Sequence, residues 1–160
     1  ACGGSAVADC AGACGGSAVD DDCGICGGDG SSCTADWTVQ SGLNGNSFVP
    51  ADLNILIGDT VEWANVSGSH NVNGSQSIFP DNPESFGSGS VSSDSWTYSY
   101  TFTVAGIYDY QCDPHAMMAM IGVIQVGDAV NMDEIKQASQ NYRSTFVMNA
   151  ERIDNYLNQL

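Results

Sequence analysis

Apolar and polar residues alternate with a period of two in the middle of the chain. The clearest run lies at residues 96–104, and its apolar members share one face: Trp96, Tyr98, Tyr100, Phe102 and Val104. Threonine and serine occupy the alternate positions. This is the period of an antiparallel strand with one buried face, so the run predicts such a strand.

Shorter apolar runs extend the β pattern over about residues 37–126. Segments 53–57, 60–63, 106–110 and 121–126 have the length and composition of strands. Turn-forming residues separate them, as at Gly58-Asp59 and Ala105-Gly106. We therefore predict an all-β domain, a sandwich of short strands, with residues 80–93 as a polar surface excursion.

The apolar period changes from two to about 3.6 after residue 130. Apolar residues at every third or fourth position between 135 and 160 form one stripe along a predicted helix of about seven turns. Asn131, with Glu134 three residues later, has the pattern of a capping box. A long amphipathic helix needs a surface to lie against. We expect that surface to be either its own sandwich or another chain.

The first 34 residues are rich in glycine and contain a recurring Cys-Gly-Gly triplet. Six of the seven cysteines lie there: Cys2, Cys10, Cys14, Cys23, Cys26 and Cys33. The segment has almost no apolar core, so we expect about three disulfides, formed in an oxidising compartment. The sequence does not select their pairing. A metal cluster is the competing interpretation, which the lack of histidine in the segment disfavours.

The chain therefore has three predicted segments: a disulfide-rich repeat over 1–34, a β domain over 35–127, and a helix over 128–160. The first resembles the CGxCGGD-type repeats of large secreted bacterial proteins, which act there as spacers or stalks. We expect a secreted protein, extracellular, periplasmic or at the cell surface, whose N-terminus has already been processed.

The charge of the chain is strongly negative, with a formal net charge of −16. Its only basic side chains, Lys136, Arg143 and Arg152, lie near the C-terminal end. Such a surface has little to neutralise phosphates, so we expect no binding to nucleic acid or anionic membranes. It favours solubility or attraction of a basic partner. No apolar run approaches the roughly 18 residues of a membrane span.

The seventh cysteine indicates the chemistry of the β domain. Cys112 lies directly after a predicted strand, and His115 and Met120 follow it in the same loop. The only other histidine, His70, follows the predicted strand 60–63. A type 1 copper site uses two imidazoles, one thiolate and a long axial thioether. We therefore predict one such site, with Met118 as the alternative axial ligand.

The pattern Cys-x-Pro-His-x4-Met, preceded by Gly-x-Tyr-x-Tyr, resembles the ligand loop of blue copper proteins of the plastocyanin and pseudoazurin kind, the cupredoxins. Residues 58–65 and the triplet His70-Asn71-Val72 are similar to the other half of that pattern. The resemblance implies a Greek-key β-sandwich. It also implies that His70, Cys112 and His115 are the strong copper ligands and Met120 the axial one.

The same resemblance implies roles for neighbouring residues. Asn71 would tie the His70 loop to the Cys112 loop. The exposed edge of His115, with Ala116 and Met117, would form the electron-transfer surface. Asp113 occupies a position where serine or threonine is usual, so we expect hydrogen bonding near the thiolate to differ from that of the family.

These features predict a one-electron carrier that acts with a redox partner protein, and the negative net charge favours a basic partner. We do not expect an enzyme, because a second, catalytic copper needs histidines beyond the two that the sequence contains. The alternative is a structural subunit of an extracellular homo-oligomer or filament. In that interpretation the cysteine-rich arm and the C-terminal helix make the assembly contacts.

Overall fold

The computed structural model describes residues 8–10, 12–18, 26 and 35–160. The chain separates into two compact units, Ala1–Thr34 and Ala35–Leu160, each described by itself below.

In the first unit, a disulfide joins Cys10 and Cys26, whose Cα atoms lie 5.4 Å apart. Cys14 is also disulfide-bonded. These observations favour the disulfide interpretation over a metal cluster for the cysteines concerned. Cys2, Cys23 and Cys33, the other predicted disulfide cysteines, lie outside the described residues.

The second unit contains seven strands, one 3₁₀ helix and two α-helices. The strands are β1 (Trp37–Ser41), β2 (Phe48–Val49), β3 (Asp52–Ile55), β4 (Thr60–Asn65), β5 (Thr97–Thr101), β6 (Gly106–Gln111) and β7 (Ile121–Val126). The 3₁₀ helix covers Asp113–Met118, and the α-helices are α1 (Met132–Arg143) and α2 (Glu151–Leu157). None of the helices in the described part of the chain combines the length and apolar character needed to cross a membrane.

The strands form two sheets with the order β2-β1-β4-β5 and β3-β7-β6. β1 runs parallel to β4, and β3 runs parallel to β7. The remaining neighbours are antiparallel. The all-β prediction is confirmed, and the strand predicted at 121–126 coincides with β7.

An aromatic cluster fills the space between the sheets. Trp63 lies at the centre of β4, where buried and half-buried residues alternate, and its side chain is fully buried. Its ring contacts those of Tyr98 on β5 and Tyr110 on β6, with centroids 5.6 and 5.5 Å away. Burying large rings from both sheets supplies much of the apolar stabilisation of a small sandwich.

Two predicted strands are longer in the sequence pattern than in the structure. The run 96–104 contains β5 at Thr97–Thr101 only, and Val104 is 40% exposed. β3 ends at Ile55, although the apolar run continues through Ile57. The turn explains this end, because the Leu56 N–H donates to the Asp59 carboxylate at 3.0 Å and so leaves the ladder.

The excursion predicted at residues 80–93 is more than a surface loop. Phe86 is 6% exposed and belongs to the aromatic core. The buried Asn82 side chain donates to the Gly74 and Asp109 carbonyls at 3.0 and 2.8 Å, and it accepts from the Asp109 N–H at 2.8 Å. Only one aromatic ring and one amide anchor residues 80–93 to the core. The polar composition of the other residues therefore did not indicate this anchoring.

The single C-terminal helix predicted over 128–160 is wrong, since residues 144–150 separate α1 from α2. The hydroxyls of Ser144 and Thr145 donate to the carbonyls of Asn141 and Tyr142, competing with the helical ladder. Asn149 then adopts a left-handed conformation with φ of 55°. The apolar stripe persists across this break because both helices pack on the same sheet.

The C-terminal helices cover the outer face of β6 and β7. β6 is buried along its whole length. Tyr108 and Tyr110 face the sandwich core, whereas Ile107 packs with Ile135 of α1 and Ile153 of α2. The partner of the predicted apolar stripe is therefore the protein's own sandwich.

Asn131 does not form the predicted capping box, because its side chain makes no cap hydrogen bond to α1. Its amide oxygen accepts from the Ile107 N–H at 2.7 Å, and its nitrogen donates to the Asp81 and Ile107 carbonyls, each at 2.9 Å. Tertiary contacts to β6 thus replace the local contacts that the sequence pattern suggested.

Asp109 is a buried carboxyl beneath α1. One of its oxygens has no hydrogen-bond partner among the described residues. Burial, with the nearby Asp81 charge as a second cause, raises the pKa of Asp109 to about 7. Tyr142 of α1 lies on the same side and lines the same small cavity of about 50 Å³.

We predict that Asp109 makes the metal-free protein less stable as pH rises from about 4 to 7. Below this range the carboxyl is protonated in both the folded and the unfolded chain, and above it the carboxyl is ionised in both. Within the range only the folded chain keeps the proton, so the free energy of unfolding falls by at most about 4 kcal/mol.

Chemical denaturation at pH 5 and pH 8 tests this prediction. Asp109→Asn should reduce the loss of stability between the two values. Asp94→Asn, which neutralises an exposed acid, is the matched control and should leave the loss unchanged. An equal pH dependence in all three proteins would contradict the prediction.

Candidate metal centre

Three metal-binding side chains meet at one end of the sandwich. The Cys112 Sγ lies 3.4 Å from the Nδ1 of His70 and 3.4 Å from the Nδ1 of His115. The three ligand atoms lie within 4.8 Å of one another. Cys112 is fully buried, His70 is 2% exposed, and His115 is half-buried. The predicted two-histidine, one-cysteine group is therefore assembled just below the surface.

The strand ends place these residues. Cys112 directly follows β6, and the 3₁₀ helix that begins at Asp113 carries His115. The Cys112 N–H donates to the Met120 carbonyl at 3.0 Å, so the chain returns beside the cysteine before β7 begins. His70 comes from the loop after β4, where its N–H and C=O pair with Ser92.

Two glycines make room for the His70 ring. A Cβ at Gly42 or Gly68 would lie 2.9 or 2.8 Å from its Nε2, and both residues have left-handed backbones. Burial lowers the pKa of His70, and the His115 ring lowers it further, against a smaller opposing effect of a Ser67 backbone hydrogen bond. The ring is therefore neutral at pH 7, with Nδ1 directed at the cysteine, as a metal ligand must be.

The Cys112 thiol is held in an apolar environment. Burial raises its pKa to about 11, with hydrogen bonds from the Asn71 and His115 backbones opposing and the Asp113 charge adding to the rise. Such a thiol keeps its proton at pH 7 until a metal displaces it. One soft sulfur and two imidazoles suit copper, whose two oxidation states prefer these donors.

Two methionines compete for the axial position, and their surroundings differ. Met120 is fully buried in the same apolar cluster as Cys112. The Met118 sulfur already accepts a hydrogen bond from the Asn46 amide at 3.1 Å. These contacts favour Met120 as the axial residue.

Asp113, the atypical neighbour of the cysteine, is the centre of a hydrogen-bond network. Asn71 donates its amide to the carboxylate at 2.7 Å and accepts from the Asp113 N–H at 2.8 Å, which ties the two ligand loops together. Gln111 and Asn73 donate to the same carboxylate at 2.8 and 3.0 Å. Burial raises the pKa of Asp113, but these three amides outweigh it and hold the pKa below its usual range.

The surface beside His115 is more apolar than the sequence suggested. Ala116 is half-buried, and Met117 is 62% exposed. The Val147 N–H donates to the Met117 carbonyl at 2.7 Å, so the α1–α2 connection joins this surface. Val147 and Met148 are 69% and 52% exposed. Sequence reasoning missed them, because it placed both inside a continuous helix.

Comparison with known proteins gives a consistent result. A family model described as copper binding proteins, plastocyanin/azurin family, matches residues 35–127. Pseudoazurin from Paracoccus pantotrophus is 37% identical over 105 residues, which cover 65% of this chain and 70% of that protein. Chloroplastic plastocyanin from Chlamydomonas reinhardtii is 35% identical over 103 residues, which cover 58% of this chain and 68% of that protein. The crystal structure of native pseudoazurin from Hyphomicrobium denitrificans superimposes with a TM-score of 0.61 and 25% identity, covering 77% of this chain and 96% of that one.

We predict that Gly68→Ala displaces the His70 ring. The new methyl group would lie 2.8 Å from its Nε2, which is closer than van der Waals contact allows. The left-handed backbone adds about 1–2 kcal/mol of strain. Copper(II) binding to the variant should be weaker, and its visible absorption should change in intensity or position.

Gly45→Ala is the matched control. Gly45 has φ of 80°, close to the 81° of Gly68, but nothing lies within 4 Å of its Cβ position. We expect a similar loss of stability in denaturation and an unchanged copper spectrum. Identical copper spectra for both variants would show that Gly68 does not position His70.

Proposed function

The chain belongs to the plastocyanin/azurin family of copper binding proteins, and we propose that it carries single electrons between proteins outside the cytoplasm. In this proposal one type 1 copper is held by His70, Cys112, His115 and Met120. The observation that supports it best is the buried Cys112 Sγ, 3.4 Å from the Nδ1 atoms of both histidines.

The bound copper supplies a one-electron couple between Cu(I) and Cu(II). The protein's part is to offer both oxidation states one unchanging set of donors. Cys112 is fixed by its backbone bond to Met120, and His70 is fixed by its pairing with Ser92 and the glycines around its ring. Such a frame lets an electron pass with little rearrangement of the ligands.

The half-buried His115 ring is the proposed contact with redox partners. Its Nδ1 faces the cysteine, and the rest of the ring lies between the buried site and solvent. The apolar surface of Ala116 and Met117 beside it, extended by Val147 and Met148, excludes water when a partner docks. The electron path between partner and donor set is then short.

Charge supports a basic partner. The chain has 19 acidic and only three basic side chains. Arg143 is paired with Asp154 at 3.1 Å, and Arg152 donates to backbone carbonyls. A surface of one sign steers a partner of the opposite sign and raises the association rate.

The Cys10–Cys26 disulfide supports an extracytoplasmic location, because such bonds persist in oxidising compartments.

An electron carrier is favoured over an enzyme. Both histidines of the sequence meet at one site. Across the described residues, no other cluster of three histidine, cysteine or acidic side chains could hold a metal ion. A second, catalytic copper in this chain would therefore lack imidazole ligands.

The structural-subunit alternative loses part of its basis. It required a long helix whose apolar stripe lacks a partner within the chain. That stripe is buried on β6 and β7 of the same unit, which leaves only the cysteine-rich arm as the suggested assembly contact.

We predict that the metal-free protein, with Cys112 as a free thiol, turns intensely coloured on addition of Cu(II). The colour would arise from charge transfer from the Cys112 thiolate to the metal. Cys112→Ser should abolish the visible band, since a hydroxyl cannot replace the soft thiolate. Met120→Leu should shift the midpoint potential upwards, because loss of the axial donor and a more apolar site destabilise Cu(II), the more highly charged state, more than Cu(I), whereas Met118→Leu should leave it unchanged. Visible absorption and potentiometric titration measure both effects, and a colourless copper-loaded protein would contradict the proposal.

We also predict that the sign of the reactant's charge controls the rate of electron transfer. The rate at which the copper(I) protein reduces tris(1,10-phenanthroline)cobalt(III), a cationic oxidant, should fall as salt is raised, because ions screen the attraction. With hexacyanoferrate(III), an anion, the rate should rise instead. Stopped-flow measurements at several ionic strengths compare the two, and equal salt dependences would exclude electrostatic steering.

A further inference from the structure

The C-terminal hairpin, defined as residues 132–157, holds the segment that joins His115 to Met120. Three successive carbonyls of this segment accept hydrogen bonds from the hairpin. The donors are Val147 N–H to Met117 at 2.7 Å, Asn149 Nδ2 to Met118 at 3.2 Å, and Arg152 Nη1 to Ala119 at 3.2 Å. The same Nη1 also donates to the Asn46 carbonyl at 3.1 Å.

The segment 117–119 needs such partners. It closes the 3₁₀ helix, whose last carbonyls have no partner within the helix. Ala119 is fully buried and has a left-handed backbone with φ of 57°, which an alanine adopts only when its surroundings impose it. Without Arg152, the buried Ala119 carbonyl would lose its charged donor.

The hairpin also contacts the other end of the ligand loop. The Tyr142 hydroxyl of α1 donates a hydrogen bond to the Gln111 side-chain oxygen. Gln111 in turn donates to the Asp113 carboxylate, which is bonded to Asn71 beside His70. Residues 111–119 are thus held from the hairpin at both ends.

The hairpin has its own attachments, independent of the ligand loop. Its apolar residues, including Ile135 and Ile153, pack on Ile107, Ile121 and Val123. Arg143 joins the two helices through Asp154 at 3.1 Å and the Ala150 carbonyl at 3.1 Å. The hairpin therefore holds its own position on the sheet and does not depend on the ligand loop for it.

We propose that Arg152 is a positioning residue for the metal centre. By holding the Ala119 carbonyl, it fixes the position of the next residue, Met120, relative to Cys112. It also fixes the orientation of the His115 ring relative to Cys112. The inference deepens the proposed function and rests on it, because the positioned groups are the proposed copper ligands. Arg152 lies on a segment that contains no metal ligand, yet it controls the geometry of the site in this proposal.

Three variants test this role. Arg152→Met removes the donor and keeps an unbranched apolar side chain. Arg152→Lys keeps the charge and one donating nitrogen, which is all that the two hydrogen bonds use. Lys136→Met is the control for charge, because the Lys136 side chain is exposed and makes no ion pair among the described residues.

The first measurement uses the copper(II) proteins. Arg152→Met should change the intensity ratio of the visible thiolate bands and the rhombicity of the electron paramagnetic resonance spectrum, since both report the axial ligand distance. Arg152→Lys should restore both, and Lys136→Met should match the wild type. Unchanged spectra in Arg152→Met, even with reduced stability, would overturn the proposal. The proposal would also be overturned if Arg152→Met changed only the midpoint potential of the copper, and not the spectra, and if Lys136→Met changed the potential equally.

The second measurement uses the metal-free proteins, so that failure of copper binding does not obscure the result. The Met120 N–H donates to the His115 carbonyl at 3.2 Å, and its exchange with deuterium reports opening of this segment. Arg152→Met should exchange about tenfold faster at Met120, as expected for loss of one charged hydrogen bond. Exchange in β4 should remain unchanged. Equal rates at Met120 would overturn the positioning role whether or not the wild type binds copper.

Discussion

The short approach between one buried thiol and two imidazole nitrogens is the constraint on which the rest of the structure depends. Bringing Cys112, His70 and His115 together requires two loops from different sheets to meet at one end of the sandwich. The reciprocal bonds between Asn71 and Asp113 join those loops. Desolvation keeps the thiol protonated and His70 neutral, so neither of these two buried ligands carries a charge in the metal-free protein.

The layers of the fold follow from the need to keep this arrangement rigid. Trp63 and its aromatic neighbours fill the space between the sheets. The C-terminal hairpin covers the opposite face of β6 and β7. β6, which leads into Cys112, is consequently buried on both faces, and its end has little freedom to move. Burial on both faces also destabilises the ionised form of Asp109, because a carboxyl on the covered face must lose its hydration.

Much of the site could be predicted from the sequence, because its residue types are rare in the chain. Two histidines and one isolated cysteine leave few possible combinations, and the strand period fixes the ends on which they lie. The break between α1 and α2 was not predictable from periodicity, since both helices bury the same stripe and the period survives the turn. The roles of Asn131, Asn82 and Arg152 could not be predicted from the sequence for a related reason. Each acts through tertiary hydrogen bonds to backbone atoms, which leave no pattern in the side chains.

The burial of Cys112 also bears on how the chain acquires its disulfides. Cys10, Cys14 and Cys26 are disulfide-bonded in the same molecule, and disulfide exchange proceeds through the thiolate. A thiol with no exposed surface and a pKa of about 11 contributes almost no thiolate at neutral pH. Once residues 35–160 have folded, the metal-binding cysteine is therefore withdrawn from exchange with the arm. Cys112 thus stays reduced and able to bind copper while disulfides form elsewhere in the chain.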